Sequence, residues 1–333
     1  MLSIGLPVVF AIGLFWYVYR NFSVVELKAS LSAANYWLLI GSLVPLAASH
    51  YLRSLRWRQL LAPLGYRPPI SQMFAAVMSG YTANLILPRA GEVLRCTILQ
   101  KTANVPTEIS LGNVLAERVL DLVMLGLLTV LALVVEYERL SAFLGSLVMT
   151  KLAGSAITSG VVWSFVGGGF VIVAFALTLL YTFRNHRIVV LLWGFLTRLF
   201  NGLVSVKDVQ NLPLFMLYSI LIWLGYYLSS AMVLYGFSPT ADLPVASALV
   251  LNVIGAFGMV APVQGGIGAY HYMVSTGLTA IYAVETKDSL GLAFLLHTSQ
   301  MLFTLVLGGV CFLWLSQQTS KQNTVSSTTK PAT

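Results

Sequence analysis

The chain alternates between apolar runs, most of them near the ~20 residues that cross a bilayer as a helix, and shorter polar or basic connectors. Leu2–Tyr19, Tyr36–Leu52, Asn113–Val135, Val161–Phe183, Leu212–Tyr235 and Ser289–Leu315 predict six full spans. No period-2 alternation marks barrel strands. Asn21–Asn35 has an interfacial composition, Glu136–Gly160 is a mixed connector, and Arg184–Asn211 is basic and amphipathic. Leu2–Tyr19 has neither a basic leader nor a small-residue cleavage pattern, so a retained helix is expected there. The spans make one membrane domain, residues 1–316. Gln317–Thr333, rich in Ser and Thr, is expected to be a disordered cytoplasmic tail.

Two further runs are too short or too polar to span simply. Ile70–Leu87 contains Ser71, Ser79, Gly80, Thr82 and Asn84, stops at Pro88, and is followed by the polar segment Gly91–Gly112. Leu243–Ala261 and Ile267–Val284 flank a Gly-rich turn. Both pairs read as re-entrant helix hairpins, which are tolerated where protein or water surrounds them. Their turns, NLILPRAGEVLR (84–95) and GMVAPVQGGIGAYH (258–271), share a plan, with Pro88 before Gly91 and Pro262 before Gly265. Three predicted spans lie between them, so the hairpins enter from opposite faces. That is the pattern of an inverted repeat with a site near the midplane. Ordinary helical hairpins with surface turns remain the alternative.

Composition narrows the class further. Hydrophobic residues are 58% and charged residues 9%, against roughly 25% charged in soluble domains, and the mean hydropathy is +0.84. A soluble fold, a disordered chain, a disulfide scaffold and a nucleic-acid binder are all excluded. The net charge of +8 reads as topology anchoring: thirteen Lys and Arg fall on one side of the predicted spans and five on the other. That places the N- and C-termini in the cytoplasm and the chain in the cytoplasmic membrane. Cys96 and Cys311 are far apart and read as unpaired small hydrophobes.

The candidate chemistry lies in charges that should not be in a membrane. Glu117 and Asp121 are i, i+4 on one helix face, Arg118 lies beside them, and Arg89, Glu92 and Arg95 follow the first turn. A charge inside a span costs ~2.5–3.5 kcal/mol on insertion scales, so these groups are expected to face protein or water and to have partners. Two readings stand. The arginines offer guanidinium forks to a phosphate headgroup, or the cluster is an ion network clamping the hairpin. In LRSLRWRQLL (52–61), Arg53, Arg56 and Arg58 read as an interfacial belt, with Arg56, next to Trp57, as the headgroup contact. Gln264, Gly265 and Gly266 allow close backbone approach or donate N–H groups to an anion, without the Lys-Ser/Thr of a nucleotide loop. His271 lies one turn beyond. His50, His186 and His297 are scattered, so no metal and no cofactor are expected. No nucleophile–base pattern is present.

The segments LRSLRWRQLL, NLILPRAGEVLR, NVLAERVLDLV (113–123) and APVQGGIGAYH (261–271), in this order and spacing, resemble one family. It is the flippase-like transmembrane family related to the membrane region of lysylphosphatidylglycerol synthase, the multiple peptide resistance factor. The resemblance runs from Leu2 to about Leu315. It implies two re-entrant helix pairs in an all-α bundle and a role with phospholipid or lipid-linked substrates. The synthase's aminoacyltransferase domain has no counterpart here, so its activity is not carried over. The basic residues expected before the first span are missing, which points to a late start.

The expected function is binding and translocation of an anionic phospholipid or polyprenyl-phosphate-linked lipid. Its site would be a polar cavity between the hairpins, made by Arg56, Arg89, Glu92, Arg95, Glu117, Arg118, Asp121, Gln264, Gly265, Gly266 and His271. Two rivals remain. One is a membrane enzyme on a lipid-linked substrate with Glu117 or Asp121 as base. The other is a non-catalytic partner that docks a cytoplasmic synthase or glycosyltransferase through Arg184–Asn211.

Overall fold

A computed structural model describes residues 2–87, 89–142, 208–261 and 263–328. The predicted span at 161–183, the basic segment from 184 to 207, and Pro88 and Pro262 lie outside the described residues. The described chain is helical, and an Ala34–Phe237 bridge is its only sheet-like pairing. Its helices are α1 (Leu2–Tyr19), α2 (Val24–Ser32), α3 (Tyr36–Gly41), α4 (Leu43–Leu61), α5 (Ile70–Ile86), α6 (Ala90–Ala103), α7 (Thr107–Val135), α8 (Leu212–Tyr235), α9 (Val245–Val260), α10 (Ala269–Tyr282) and α11 (Thr286–Thr328).

Among the described residues four stretches are long and apolar enough to cross a membrane: Tyr36–Leu64, Thr107–Val135, Leu212–Tyr235 and Thr286–Gln318. Each contains or extends a predicted span, and α1 matches a fifth predicted run. α7 starts six residues before the expected Asn113, because the second arm of the preceding hairpin stops at Ala103. α11 runs on to Thr328, through polar residues for which composition alone predicts disorder. Large apolar side chains such as Trp37, Val44, Leu127, Val134 and Val306 face outward, as a surface solvated by lipid requires.

Both short apolar runs form antiparallel helical hairpins, α5–α6 and α9–α10. Each first arm begins directly after an extended proline, Pro69 or Pro244, whose missing N–H costs nothing at a helix start. Each second arm is 14 residues long. Each ends on a left-handed residue, Asn104 (φ 54°) or Ala283 (φ 55°). The next amide then reaches back, Val105 N–H to Leu99 O at 3.4 Å and Val284 N–H to Leu278 O at 3.3 Å, as in a Schellman cap. The sequence carries a trace of this correspondence: Thr107 and Ser110-Leu111-Gly112 recur as Thr286 and Ser289-Leu290-Gly291.

The packing repeats too. α4 packs on α5, α8 on α9, α6 on α7 and α10 on α11. The halves are interlocked, since α7 packs on α9 and α11 on α5. At the centre α4 and α8 run antiparallel. Contacts climb α3 and α4 as they descend α8, from Asn35 N–H, just before α3, to Gly236 O, just after α8 (2.6 Å), through Ser49 Oγ to Ile222 O (3.0 Å) to Arg56 with Ser219 (3.3 Å). Gly225 permits this closeness, because a Cβ there would strike Ser49 and the Pro45 carbonyl.

The hairpin tips meet. The turn Gln264–Gly266 packs on α5, where a Cβ on Gly265 would lie 2.8 Å from Leu85 Cδ2. α11 backs both hairpins: Leu292 and Leu296 join the core of the second, Cys311 and Leu315 that of the first.

Within the first hairpin, the α5 and α6 backbones touch at Gly80 and Gly91, and a Cβ on Gly91 would collide with the Gly80 carbonyl. Gly91→Ala is therefore expected to lower stability by about 1–3 kcal/mol or more, since neither backbone can yield without parting the arms. Gly126→Ala, with open space at the Cβ position, should not. Thermal melting of the two variants in detergent checks this, and equal melting would contradict the close-packed hairpin.

Candidate functional site

The site is assembled where α4, α6 and α7 converge beneath the first hairpin tip. On α4, Arg53, Arg56 and Trp57 are i, i+3 and i+4 and share a face. On α7, Glu117 and Asp121 do the same, and on α6 Glu92 and Arg95 are one turn apart. These spacings suffice to bring opposite charges together once the helices pack.

The result is a continuous ion chain. Arg53 Nη1 lies 2.6 Å from Asp121 Oδ2, and Arg56 Nη2 lies 2.8 Å from Asp121 Oδ1. Arg56 also approaches Glu117 at 3.8 Å, and Arg95 Nη2 reaches Glu117 Oε2 at 2.6 Å. Arg53 reaches the Tyr226 hydroxyl (3.4 Å), and the Arg95 guanidinium lies 4.6 Å from the Trp57 ring centroid. Arg56 and Glu117 are fully buried. Forks on carboxylates and a cation over an indole are what make such burial tolerable.

Arg118 and Glu92 form a separate pair at 2.7 Å, with the Arg118 side chain 43% exposed. They line a narrow cleft with Val77, Gly80, Tyr81, Asn84, Gly91 and Arg95. Asn84 Oδ1 accepts the Gly91 N–H at 2.8 Å and so ties the two arms together below the tip.

Arg89 stands apart. It is exposed at the tip itself, in the left-handed region at φ 63°, and no carboxylate among the described residues pairs with it. A non-glycine residue there carries a backbone cost of order 1 kcal/mol or more, a kind of strain that clusters at functional sites.

One expectation needs correction. Of the expected belt of Arg53, Arg56 and Arg58 around Trp57, Arg58 alone is partly exposed, while Arg53, Arg56 and Trp57 are 5%, 0% and 0% exposed. Their common helix face turns inward because α7 presents two carboxylates to it, and ion pairing outweighs the pull of the interface. Arg56 is thus held by Asp121, Glu117 and Ser219 rather than open at the headgroup level. The structure brings together Arg56, Glu92, Arg95, Glu117, Arg118 and Asp121. It sets Arg89 at the tip, and Gln264, Gly265 and Gly266 in the second tip against Leu85. Sequence reasoning missed Arg53, Asn84 and Tyr226 as members of this site. The i, i+3 spacing of Arg53 and Arg56 opposite the i, i+4 carboxylates was the available signal for the first.

His271 belongs to a different cluster. It packs edge-on against Phe15 and Tyr19 of α1 and against His297 of α11, with ring centroids 5.4, 5.3 and 4.7 Å away. His297 Nε2 lies 2.8 Å from the Gly265 carbonyl. This pair occupies the place that Glu92 and Arg118 hold in the first half, at the same 26-residue separation. No group of three His, Cys, Asp or Glu among the described residues is arranged to hold a metal.

Comparison with known proteins decides the family. The profile of the lysylphosphatidylglycerol synthase TM region matches residues 4–308. The chain belongs to that family. It is a multi-pass membrane protein of lipid-related kind. A stretch of 98 residues is 32% identical to glycosyltransferase AglD of Haloferax volcanii, covering 29% of this chain and 16% of that protein. No solved structure matches the chain significantly.

The buried ion chain and the separate Glu92–Arg118 pair should respond very differently to the loss of a carboxylate. Asp121→Asn takes the carboxylate from Arg53, leaves Arg56 only the longer contact to Glu117, and should cost about 3–5 kcal/mol, the usual penalty for removing one partner of a buried pair. Glu92→Gln breaks a half-exposed pair and should cost about 1 kcal/mol or less. Melting of the purified variants measures both, and an Asp121→Asn protein as stable as Glu92→Gln would contradict the buried network.

Proposed function

We propose that this protein binds an anionic phospholipid or polyprenyl-phosphate-linked lipid at the first hairpin tip and moves its headgroup across the cytoplasmic membrane. One observation carries the reading. Arg53, Arg56, Arg95 and Arg118 face Glu92, Glu117 and Asp121, four cations to three carboxylates, and Arg89, which pairs with no carboxylate among the described residues, adds a fifth at the rim. Surplus positive charge in a low-dielectric setting calls for an anion. A phosphate headgroup is the anion that a membrane supplies, and its acyl or prenyl chains can stay in the bilayer.

On this reading the hairpins are re-entrant, with the N- and C-termini both cytoplasmic. The antiparallel α4–α8 pairing and the matched hairpin contacts support halves that are inverted relative to each other in the membrane, with tips converging near its midplane. The buried carboxylates hold Arg56 and Arg95 in place. Arg89, exposed and unpaired, makes the first contact with phosphate. The second tip, Gln264–Gly266, closes the opposite wall with backbone approach rather than charge.

A second reading has one specific support. Since a 98-residue stretch is similar to part of a glycosyltransferase, the membrane domain would instead serve a glycosyltransferase or synthase as its membrane partner. Lipid movement by the purified protein alone favours the first reading. Movement seen only with such an enzyme present favours the second.

Arg89 provides the test because it can be changed without stranding a partner. Arg89→Gly also relieves the positive φ, so the fold should hold and melting should not fall. Headgroup translocation in vesicles containing phosphatidylglycerol should drop about tenfold to hundredfold, the effect of one charge-assisted contact of ~1.5–3 kcal/mol. Arg89→Lys should retain part of the activity, since an ammonium keeps the charge but not the fork. Undiminished translocation by a well-folded Arg89→Gly protein would reject the phosphate role of the tip.

A further inference from the structure

The second hairpin contains a helix cap built on a histidine. The Gly268 backbone N–H donates to His271 Nδ1 at 3.2 Å, and the Tyr272 N–H donates to Gly268 O at 2.8 Å. His271 is thus at the third position of α10 and reaches back to the residue before the helix, the place that Glu or Gln fills in a capping box. The protein has the ordinary version elsewhere: Ser23 N–H donates to Glu26 Oε2 at 2.6 Å and Glu26 N–H to Ser23 Oγ at 3.2 Å. The Ser23 amide and hydroxyl hold the Glu26 carboxyl below its usual range, so that cap keeps its acceptor throughout the physiological pH range.

Partners fix the tautomers of the histidine pair. A backbone N–H only donates, so His271 Nδ1 is the bare acceptor and Nε2 bears the hydrogen. A carbonyl only accepts, so His297 Nε2 donates to Gly265 and its Nδ1 is bare. His271 Nε2 and His297 Nδ1 have no hydrogen-bond partner among the described residues, and the two histidines are 2% and 3% exposed. The surroundings offer no counter-charge. From α1 come Phe15 and Tyr19, the latter with its hydroxyl donated to Leu290 O, and from α10 comes Tyr270, stacked on His297. From α11 come His297 itself and Phe294, the latter against Tyr19. No carboxylate among the described residues is in ion-pair reach of either ring.

We propose that His271 is a proton-binding site that latches the second hairpin tip: neutral, it caps α10, and protonated, it cannot. A proton on Nδ1 turns the acceptor into a donor facing the Gly268 N–H, so the cap opens. It also puts a charge beside His297 in an aromatic pocket without an anion. The glycines at φ 55°, 75° and 82° that shape this turn (Gly265, Gly266, Gly268) leave it free to rearrange. The closed tip binds no proton there and the open tip binds one, so falling pH favours opening, by at most about tenfold per pH unit for a single proton. The internal two-fold thus puts a charge pair in one half and a protonatable pair in the matching place of the other. The use of this latch in transport rests on the lipid-translocation reading, with the proton as the coupling ion. The latch itself does not.

Hydrogen exchange of the full chain in nanodiscs of phosphatidylglycerol and phosphatidylethanolamine tests it, with rates corrected for intrinsic pH dependence. Protection of the 263–274 peptide should fall between pH 7.5 and 5 in the wild type and stay flat in His271→Gln, whose amide oxygen accepts at every pH. The peptide over Ser23–Ser32 should stay flat in both. Should His271→Gln fail to fold, His271→Asn, whose amide oxygen is likewise an acceptor at every pH, should behave alike. A wild-type tip with pH-independent protection overturns the latch by itself, as does the same pH response in wild type and variant. Neither result touches the phosphate role of Arg89, which vesicle translocation tests separately.

Discussion

The Arg53–Asp121–Arg56–Glu117–Arg95 chain is the interaction on which the rest of the structure depends. It joins α4, α6 and α7 in a part of the protein where any of these charges alone would be costly. Because each carboxylate is shared between arginines, no single helix can shift without stranding a buried charge. The first hairpin therefore has a fixed floor, and its tip, with Arg89, has a fixed height above it. α8 is drawn in as well, through Ser219 on Arg56 and Tyr226 on Arg53. Such a network stabilises little in net terms, because desolvation offsets most of the attraction. What it supplies is geometry, together with a surplus of positive charge that no carboxylate among the described residues cancels.

The interlocked packing explains how a protein of short, broken helices holds together in lipid, where apolar contact between helices has little driving force of its own. Close backbone approach takes its place. Gly80 against Gly91, Gly225 against Ser49, and Gly308 against Met78 and Thr82 bring helices to near contact. Since α11 spans both hairpin cores and α7 crosses to α9, neither half is complete without the other. The two tips touch through Leu85 and Gly265.

Much of this was legible in the sequence. Hydropathy located four of the long helices and both helical hairpins, because apolar length is a direct physical requirement of the bilayer, though several ends lie six to thirteen residues away from where it put them. The Pro/Gly turns located both tips. Pairing of Glu117 and Asp121 with arginines followed from the cost of charge. What was not legible was which arginines. Arg53 and Arg56 next to Trp57 have the composition of an interface anchor, and only the placement of α7 against α4 turns that face inward. The match of Glu92–Arg118 with His271–His297 was hidden for a similar reason. The paired residues differ chemically, and the second turn is longer, so a comparison centred on the prolines misaligns the second arms of the two hairpins. The Thr and Ser-Leu-Gly trace after each hairpin would have fixed the register.

The central claim is that lipid phosphate completes the charge balance at the first hairpin tip, and the distance from that phosphate to Arg89 tests it most directly. Solid-state NMR recoupling between lipid ³¹P and arginine ¹³Cζ, on protein in phosphatidylglycerol bilayers, reads it against the Arg89→Lys variant as background. A guanidinium–phosphate fork places the two nuclei about 4 Å apart, given N–H···O contacts of ~2.8 Å. The account predicts a dephasing component at that distance that disappears in the variant. Identical dephasing in the two proteins would mean that no phosphate sits on Arg89, and would contradict it.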